Sequence, residues 1–193
     1  ELGFREERTA TLVADRLRRL GLAPQAGLAL TGVKARLKGA RPGPTVCVLA
    51  ELDGLPVPEH PRADRSTGVV HACGHNAQLT HLLGVATALV ETDALRELAG
   101  DVVFFAVPAE EYVDLDWRLE QAQAGQIEFL GGKPELLRLG FFDDVDLAMM
   151  VHATGDQSDR QLSMRWTANG LIAKRARFVG RAAHAAAAPH KAI

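Results

Sequence analysis

Apolar residues recur at Val13, Leu17 and Leu20, with arginine and aspartate between them. Spacing of three to four residues lines one face of a helix, so residues 6–20 are predicted to form an amphipathic helix that Gly21 ends. Residues 33–37 alternate with Lys34 and Arg36, the period of a half-exposed strand. Arg41-Pro42-Gly43-Pro44 is predicted to turn, and residues 45–50 then run apolar without alternation, as a buried central strand does. Residues 52–70 read as a loop rich in Pro, Asp and His, and loops of that length are often functional.

Residues 76–95 return to the helical period, with Leu79, Leu82, Leu83, Ala86 and Leu89 on one side. Residues 101–107 form a second buried strand, closed by Pro108. Residues 115–124 and 134–139 are predicted as shorter helices, the latter preceded by Gly131-Gly132, and residues 145–151 as a third apolar strand. Strands that alternate with helices predict an α/β sheet layered by helices. Residues 171–179 read as a strand that opens a new unit, and residues 182–193 as the start of a helix. With no stop signal after them, the chain is expected to be a fragment that breaks off inside a second unit.

Bulk properties narrow the partners more than the fold. A chain of 193 residues can hold one sizeable core, or one domain and part of another. With 47% hydrophobic and 24% charged residues it falls among ordinary globular proteins. A net charge of −2 gives no reason to expect nucleic acid or an anionic membrane as partner. No apolar run is long enough to span a bilayer. No signal peptide is visible, and a start at Glu1 leaves the native N-terminus expected upstream. The two cysteines, Cys47 and Cys73, could pair, but so low a count fits a reducing compartment better, and a cytoplasmic location is expected.

The chemistry-bearing residues stand where the apolar runs break off. The first strand runs into Glu51 and Asp53, the second into Glu110 and Glu111, the third into His152, and the long helix begins at His71-Ala72-Cys73-Gly74-His75-Asn76. In open α/β sheets ligands gather at the carboxyl ends of strands. If these strands are parallel, all the groups meet along one edge. The N-terminus of the long helix would come to the same edge and favour the thiolate of Cys73. Each group also has an ordinary reading. Cys73 alone is more often a small buried hydrophobe. His75 alone could be a helix-start polar residue, Glu110-Glu111 a solvated pair, and His152 a hydrogen-bonded core histidine. Their coincidence at strand ends brings a metal site level with those readings. His60 and His190 are expected to face solvent, His81 to be structural, and His71 to support the site from behind.

Taken in order, Glu51-Leu52-Asp53-Gly54-Leu55-Pro56, His71-Ala72-Cys73-Gly74-His75-Asn76, Pro108-Ala109-Glu110-Glu111 and His152 resemble metallopeptidase family 20. The resemblance is to its hippurate hydrolase and auxin-conjugate amidohydrolase branch, among the aminoacylase/carboxypeptidase enzymes, and it covers nearly the whole chain. It implies a zinc-peptidase-like mixed sheet layered by helices over residues 1–168, and the start of a smaller α+β lid and dimerisation domain over 169–193. It implies Cys73, His75, Glu111 and His152 as metal ligands and Glu110 as the general base. Asp53 would support the metal centre from behind. His184, in Gly180-Arg181-Ala182-Ala183-His184, would reach a partner subunit's site and stabilise the transition-state oxyanion. A further histidine ligand that the family carries near its far end is absent here.

The activity implied is hydrolysis of an N-acyl amino acid, a dipeptide or a related small amide, by a homodimer that holds two divalent metals. Thiolate and imidazole favour zinc, while the carboxylates admit manganese, cobalt or nickel. Many relatives have Asp where this chain has Asn76 and His where it has Gln78. Asn76 also occurs in relatives that act on aminobenzoyl-glutamate and on certain dipeptides, which widens the substrate class. The stretch 112–130 is longer than usual for the branch and is expected to add a helix near the site mouth. Three other readings compete: a cysteine hydrolase with Cys73 as nucleophile and His75 or His152 as base, an inactive binding protein of the same family, and a closed structural zinc site.

Overall fold

The N-terminal helix α1 (Glu7–Arg19) buries Ala10, Val13, Ala14 and Leu17 on one stripe. Its start is capped from upstream. The Glu1 carboxylate accepts the backbone N–H groups of Arg8 and Thr9 at 3.0 and 2.9 Å, which the first turn of a helix leaves without partners. Arg16, Arg18 and Arg19 in the last turn suit the negative end of the helix dipole. The computed structural model describes residues 1–153 and, beyond them, 164, 170, 176, 179–184 and 186–191.

After α1 come β1 (Gln25–Leu28), β2 (Gly32–Leu37), β3 (Arg41–Glu51), β4 (Leu55–Pro56), β5 (Val69–Val70) and α2 (His75–Glu91). Then follow β6 (Ala99–Val107), α3 (Leu115–Gln123), α4 (Gly132–Arg138) and β7 (Leu147–Met150). Five strands form one mixed sheet in the order β1-β2-β6-β3-β7. β1 and β2 run antiparallel to their neighbours, whereas β6, β3 and β7 are mutually parallel. The parallel register sets Glu51 opposite Val107 and Leu49 opposite Met150, so three strands end on one edge.

Both faces of the sheet are covered at its centre, which is why β6 reads as an unbroken apolar run. Phe104 and Ala106 pack with Val48 and Ala50 against Val13 and Leu17 of α1 and Leu82 and Ala86 of α2. Val103, Phe105 and Val107 pack with Cys47 against Leu136 of α4 and Ile127. This is the α/β sheet layered by helices that the alternation of elements predicts, and it is mixed, as the family resemblance implies.

Some local expectations fail for identifiable reasons. Residues 41–44 do not turn; they begin β3, and the ladder to β6 is irregular between Arg41 and Thr45. Prolines lack the N–H a regular ladder needs, and such an irregularity is where a sheet tolerates them. β2 is not half-exposed. Lys34 is 9% exposed because its stem lies under cover while its ammonium reaches Asp144 and the Phe141 carbonyl. β1 is an exposed edge strand with no alternation to announce it. The loop 52–70 contains the small antiparallel pair β4 and β5. β7 sits at the other edge, with Leu147 and Met149 exposed.

The chain divides into two compact units, Glu1–Thr154 and Gly155–Ile193. The expected domain boundary at 168–169 and most of the strand expected over 171–179 lie outside the described residues. The described part of 182–193 holds a single 3-10 turn, Pro189–Lys191, and no α-helix. Among the described residues, no helix is long and apolar enough to cross a membrane.

Candidate metal centre

Three segments leave the same sheet edge and converge on the start of α2. Glu51 ends β3 and Asp53 follows it, Ala109-Glu110-Glu111 follows β6, and His152 follows β7. The residue before α2 is Gly74, at φ 100°, a conformation that L side chains rarely adopt. A Cβ there would also lie 3.0 Å from the Cβ of Ala153. Glycine at this point therefore lets the chain reverse between Cys73 and His75 so that both face one centre.

Cys73 Sγ lies 3.4 Å from His152 Nε2, and the rings of His75 and His152 meet edge to face at 6.1 Å. Cys73, His75 and His152 offer donor atoms all within 4.8 Å of one another, and so do Glu51, His75 and Glu110. Glu111 is in neither triplet, but it lies close enough to Cys73 for its carboxylate to raise the thiol's pKa. His75 is buried, and its Nδ1 lies 2.8 Å from the Asp53 carbonyl oxygen. A carbonyl only accepts, so Nδ1 carries a proton and Nε2 is the ring nitrogen left to meet a cation. The Asp53 carboxylate, fully buried, accepts the Glu111 N–H at 2.9 Å and ties the histidine to the glutamate pair.

Glu51 has no role in the sequence reading, yet it lies in the middle of the site. Its Oε2 is 2.9 Å from His75 Nε2. Gln78 bonds it twice: the Glu51 N–H donates to Gln78 Oε1 at 2.9 Å, and Gln78 Nε2 donates to Glu51 Oε2 at 3.0 Å. Lys133 of α4 donates to its other oxygen. The i, i+3 spacing from His75 to Gln78 on one helix was the available signal. Lys133 gave none.

The crowd of carboxylates sets the proton affinities. Burial alone would lower the His75 pKa, but hydrogen bonds to Asp53 and Glu51 and the charge of Glu51 push it up to about 10. Burial would raise Glu51, yet His75 and Lys133 hold it down at about 2. Burial raises the Glu110 carboxyl above the usual range, and the charges of Glu51 and Glu111 add to that. Cys73 is pushed up to about 12 by burial, by the nearby Glu111 carboxylate, and by the charges of Glu110 and Glu51. The helix start was expected to favour its thiolate. Burial and three nearby carboxylates outweigh a partial helix-end charge, so without a cation the thiol keeps its proton.

The donors suit a divalent cation. Thiol, imidazole and carboxylate are the ligand types of zinc and its neighbours. His75 Nε2 and Glu111 Oε1 are both buried; the first faces the Glu51 carboxylate at 2.9 Å, and the second has no hydrogen-bond partner among the described residues. Buried polar atoms are otherwise nearly always paired, so the bare Glu111 oxygen is available to a cation. Both cysteines are free. His71 is half-buried, its ring 6.5 Å from His75. His81 is half-buried within α2, and His60 is half-buried where it was expected to face solvent, accepting the Arg62 N–H. His184 belongs to the second unit, where it is exposed and its Nδ1 accepts the Ala186 and Ala187 N–H groups.

Behind the site, Glu6 is wholly buried, and burial raises its pKa to about 7 despite bonds from Thr31 and Ala109. A carboxyl that holds its proton more tightly when folded costs stability as pH rises from its ordinary value of 4.5 through 7. That shift corresponds to about 3 kcal/mol at most. Glu6→Gln removes the ionisation. It is therefore expected to unfold at a higher temperature than the parent at pH 8 and at nearly the same temperature at pH 4.5. An equal offset at both pH values in thermal melts would refute this.

Comparison with known proteins places the site in a family context. The model of Peptidase family M20/M25/M40 matches residues 47–165, which include Asp53, Cys73, His75, Glu110, Glu111 and His152. Thermostable carboxypeptidase 1 of Saccharolobus solfataricus is 34% identical over 156 residues, 79% of this chain and 35% of that protein. The N-acyl-L-amino acid amidohydrolase of Geobacillus stearothermophilus is 33% identical over 155 residues, 79% of this chain and 37% of that protein. The crystal structure of the Bacillus subtilis YXEP protein, described as a dinuclear metal-binding peptidase, superposes with a TM-score of 0.60 at 28% identity, covering 77% of this chain and 37% of that one. The chain thus spans about a third of the length of the curated relatives it matches.

Proposed function

The chain belongs to peptidase family M20/M25/M40, and from that premise we propose that it carries most of the metal centre of an amidohydrolase. The substrate is an N-acyl amino acid, a dipeptide or a related small amide. The observation that carries this reading is the division between two adjacent carboxylates. Glu111 turns a buried, unpartnered oxygen towards the site, while Glu110 stays partly open beside His75 with a raised pKa.

Cys73, His75, Glu111 and His152 would hold the metal. A bound divalent cation lowers the pKa of water and polarises the scissile carbonyl. Glu110 takes the proton from the attacking water and delivers it to the leaving nitrogen; a carboxyl raised towards neutrality is suited to both halves of that transfer. Asp53 fixes the His75 tautomer from behind. Two metals per site, zinc or manganese first and cobalt or nickel next, a homodimer, His184 serving the partner subunit's oxyanion, and a cytoplasmic location complete the proposal.

The Cys73–His152 distance of 3.4 Å favours a second reading, a thiol hydrolase. A thiol with a pKa of about 12 is a poor nucleophile at neutral pH, which weighs against it. Chelation decides between them. Dialysis against a strong chelator is expected to abolish hydrolysis of an amide panel, and added zinc or manganese to restore it. Activity that survives chelation and disappears on alkylation would assign the chemistry to Cys73 as nucleophile.

A further inference from the structure

Glu110 and Glu111 are neighbours with opposite tasks, and their side chains do not explain the division. The backbone that carries them does. Ala109 sits at φ 50°, left-handed and unfavourable for a residue with a Cβ. Such a turn persists only where its surroundings hold it. Four hydrogen bonds do so. The Ala109 N–H donates to Glu6 Oε1 at 2.8 Å, and the Ala109 carbonyl accepts the Gly132 N–H at 3.0 Å. The Glu111 N–H donates to Asp53 Oδ2 at 2.9 Å, and the Glu111 carbonyl accepts Arg118 Nη2 at 2.6 Å.

Two of these anchors lie outside the metal site altogether. Glu6 and Arg118 are 0% and 1% exposed. Glu6 stands 103 residues before Ala109, at the entry to α1, and its second oxygen accepts the Thr31 hydroxyl at 2.5 Å. Arg118 comes from α3, in the stretch 112–130, and also donates to the Leu130 carbonyl at 2.7 Å. Its guanidinium lies 5.4 Å over the ring of Phe4. A Cβ on Gly3 would fall 2.3 Å from Arg118 Nη2 and 2.7 Å from Ala109 Cα, so the N-terminal segment lies directly on the turn.

We infer that Glu6 and Arg118 are positioning residues: they grip the 109–111 backbone from opposite ends, so that Glu111 faces Cys73 while Glu110 stays free to move protons. Neither touches the reacting atoms. The inference rests on the proposed amidohydrolase reading for the tasks of the two glutamates. The placement of the turn itself does not depend on that reading. The helix α3 thereby gains a purpose, since its buried arginine serves the turn.

The test uses cobalt as the probe metal, because cobalt absorption reports ligand geometry without turnover. In the metal-loaded protein, Glu6→Ala is expected to keep KM within about twofold, to lose kcat by about 10- to 100-fold, and to shift the cobalt spectrum. Glu6→Gln keeps an acceptor for the Ala109 N–H and is expected to restore both. A purely structural role predicts a lower melting temperature with parental kcat and spectrum in Glu6→Ala, which overturns the inference. Where Glu6→Ala does not fold, Arg118→Lys replaces it. Lysine keeps the charge but not the fork that reaches both Glu111 and Leu130, and the same shifts are expected. Parental kcat and cobalt spectrum in folded Arg118→Lys also overturn the inference. Failure of the amidohydrolase reading shows separately, as turnover that survives Glu110→Gln.

Discussion

Glu110→Gln is expected to lower turnover by about 100-fold or more while the metal stays bound. The argument is geometric. Glu110 Oε2 lies 3.8 Å from His75 Nε2, near enough to serve the same water; it shares a donor triplet with Glu51 and His75 and lies outside the one formed by Cys73, His75 and His152. Burial and the charge of Glu51 raise its proton affinity, which an acceptor that must later release its proton requires. Glutamine is nearly the same size and can still accept a hydrogen bond, but it cannot take a proton. Steady-state kinetics on the best substrate of an amide panel, with metal content measured on the same preparation, checks both halves. Unchanged turnover would remove Glu110 as the base. Lost metal would move Glu110 among the ligands.

Cys73→Ser is expected to do the reverse, weakening metal binding by more than about 100-fold, since the ligand itself is lost rather than a group that supports it. Serine is similar in shape, but its oxygen is neither soft nor readily ionised. The three carboxylates that, after burial, help to push the thiol up to about 12 in the free site would become partners of a bound cation. Removal of the sulfur therefore leaves an incomplete set of ligands, with the buried Glu111 oxygen still bare. Elemental analysis after gel filtration, with competition against a chromophoric chelator, reads the change. Full occupancy in the variant would take Cys73 out of the ligand set and reopen the question of what the Cys73–His152 contact does.

Much of this site is legible along the chain because strands end where their chemistry begins. The runs that become β3, β6 and β7 stop just short of Glu51 and Asp53, of Glu110 and Glu111, and of His152. The start of α2 is marked by Cys73-Gly74-His75. The fold follows the same logic: α1, α2 and β6 carry a strong periodic or continuous apolar signal. β1 carries none, being exposed and short, and residues 41–44 carry a misleading one. Their Pro and Gly punctuate a strand that β6 still pairs.

Partners are another matter. Nothing near Lys133 in sequence indicates Glu51, and nothing near Glu6 indicates Ala109. Cys73 at a helix start reads as an incipient thiolate, and only burial and the arrival of three carboxylates reverse that reading.

The sequence by itself determines the elements, the side chains that stand at their ends, and the family. Periodicity and strand termination are properties of neighbouring residues, so they survive in one dimension. The tertiary structure decides which carboxylates gather around His75, which proton affinities they shift, and what holds a left-handed alanine in place. Those outcomes depend on burial and on Coulomb interactions between residues tens of positions apart, and both exist only once the chain has closed on itself.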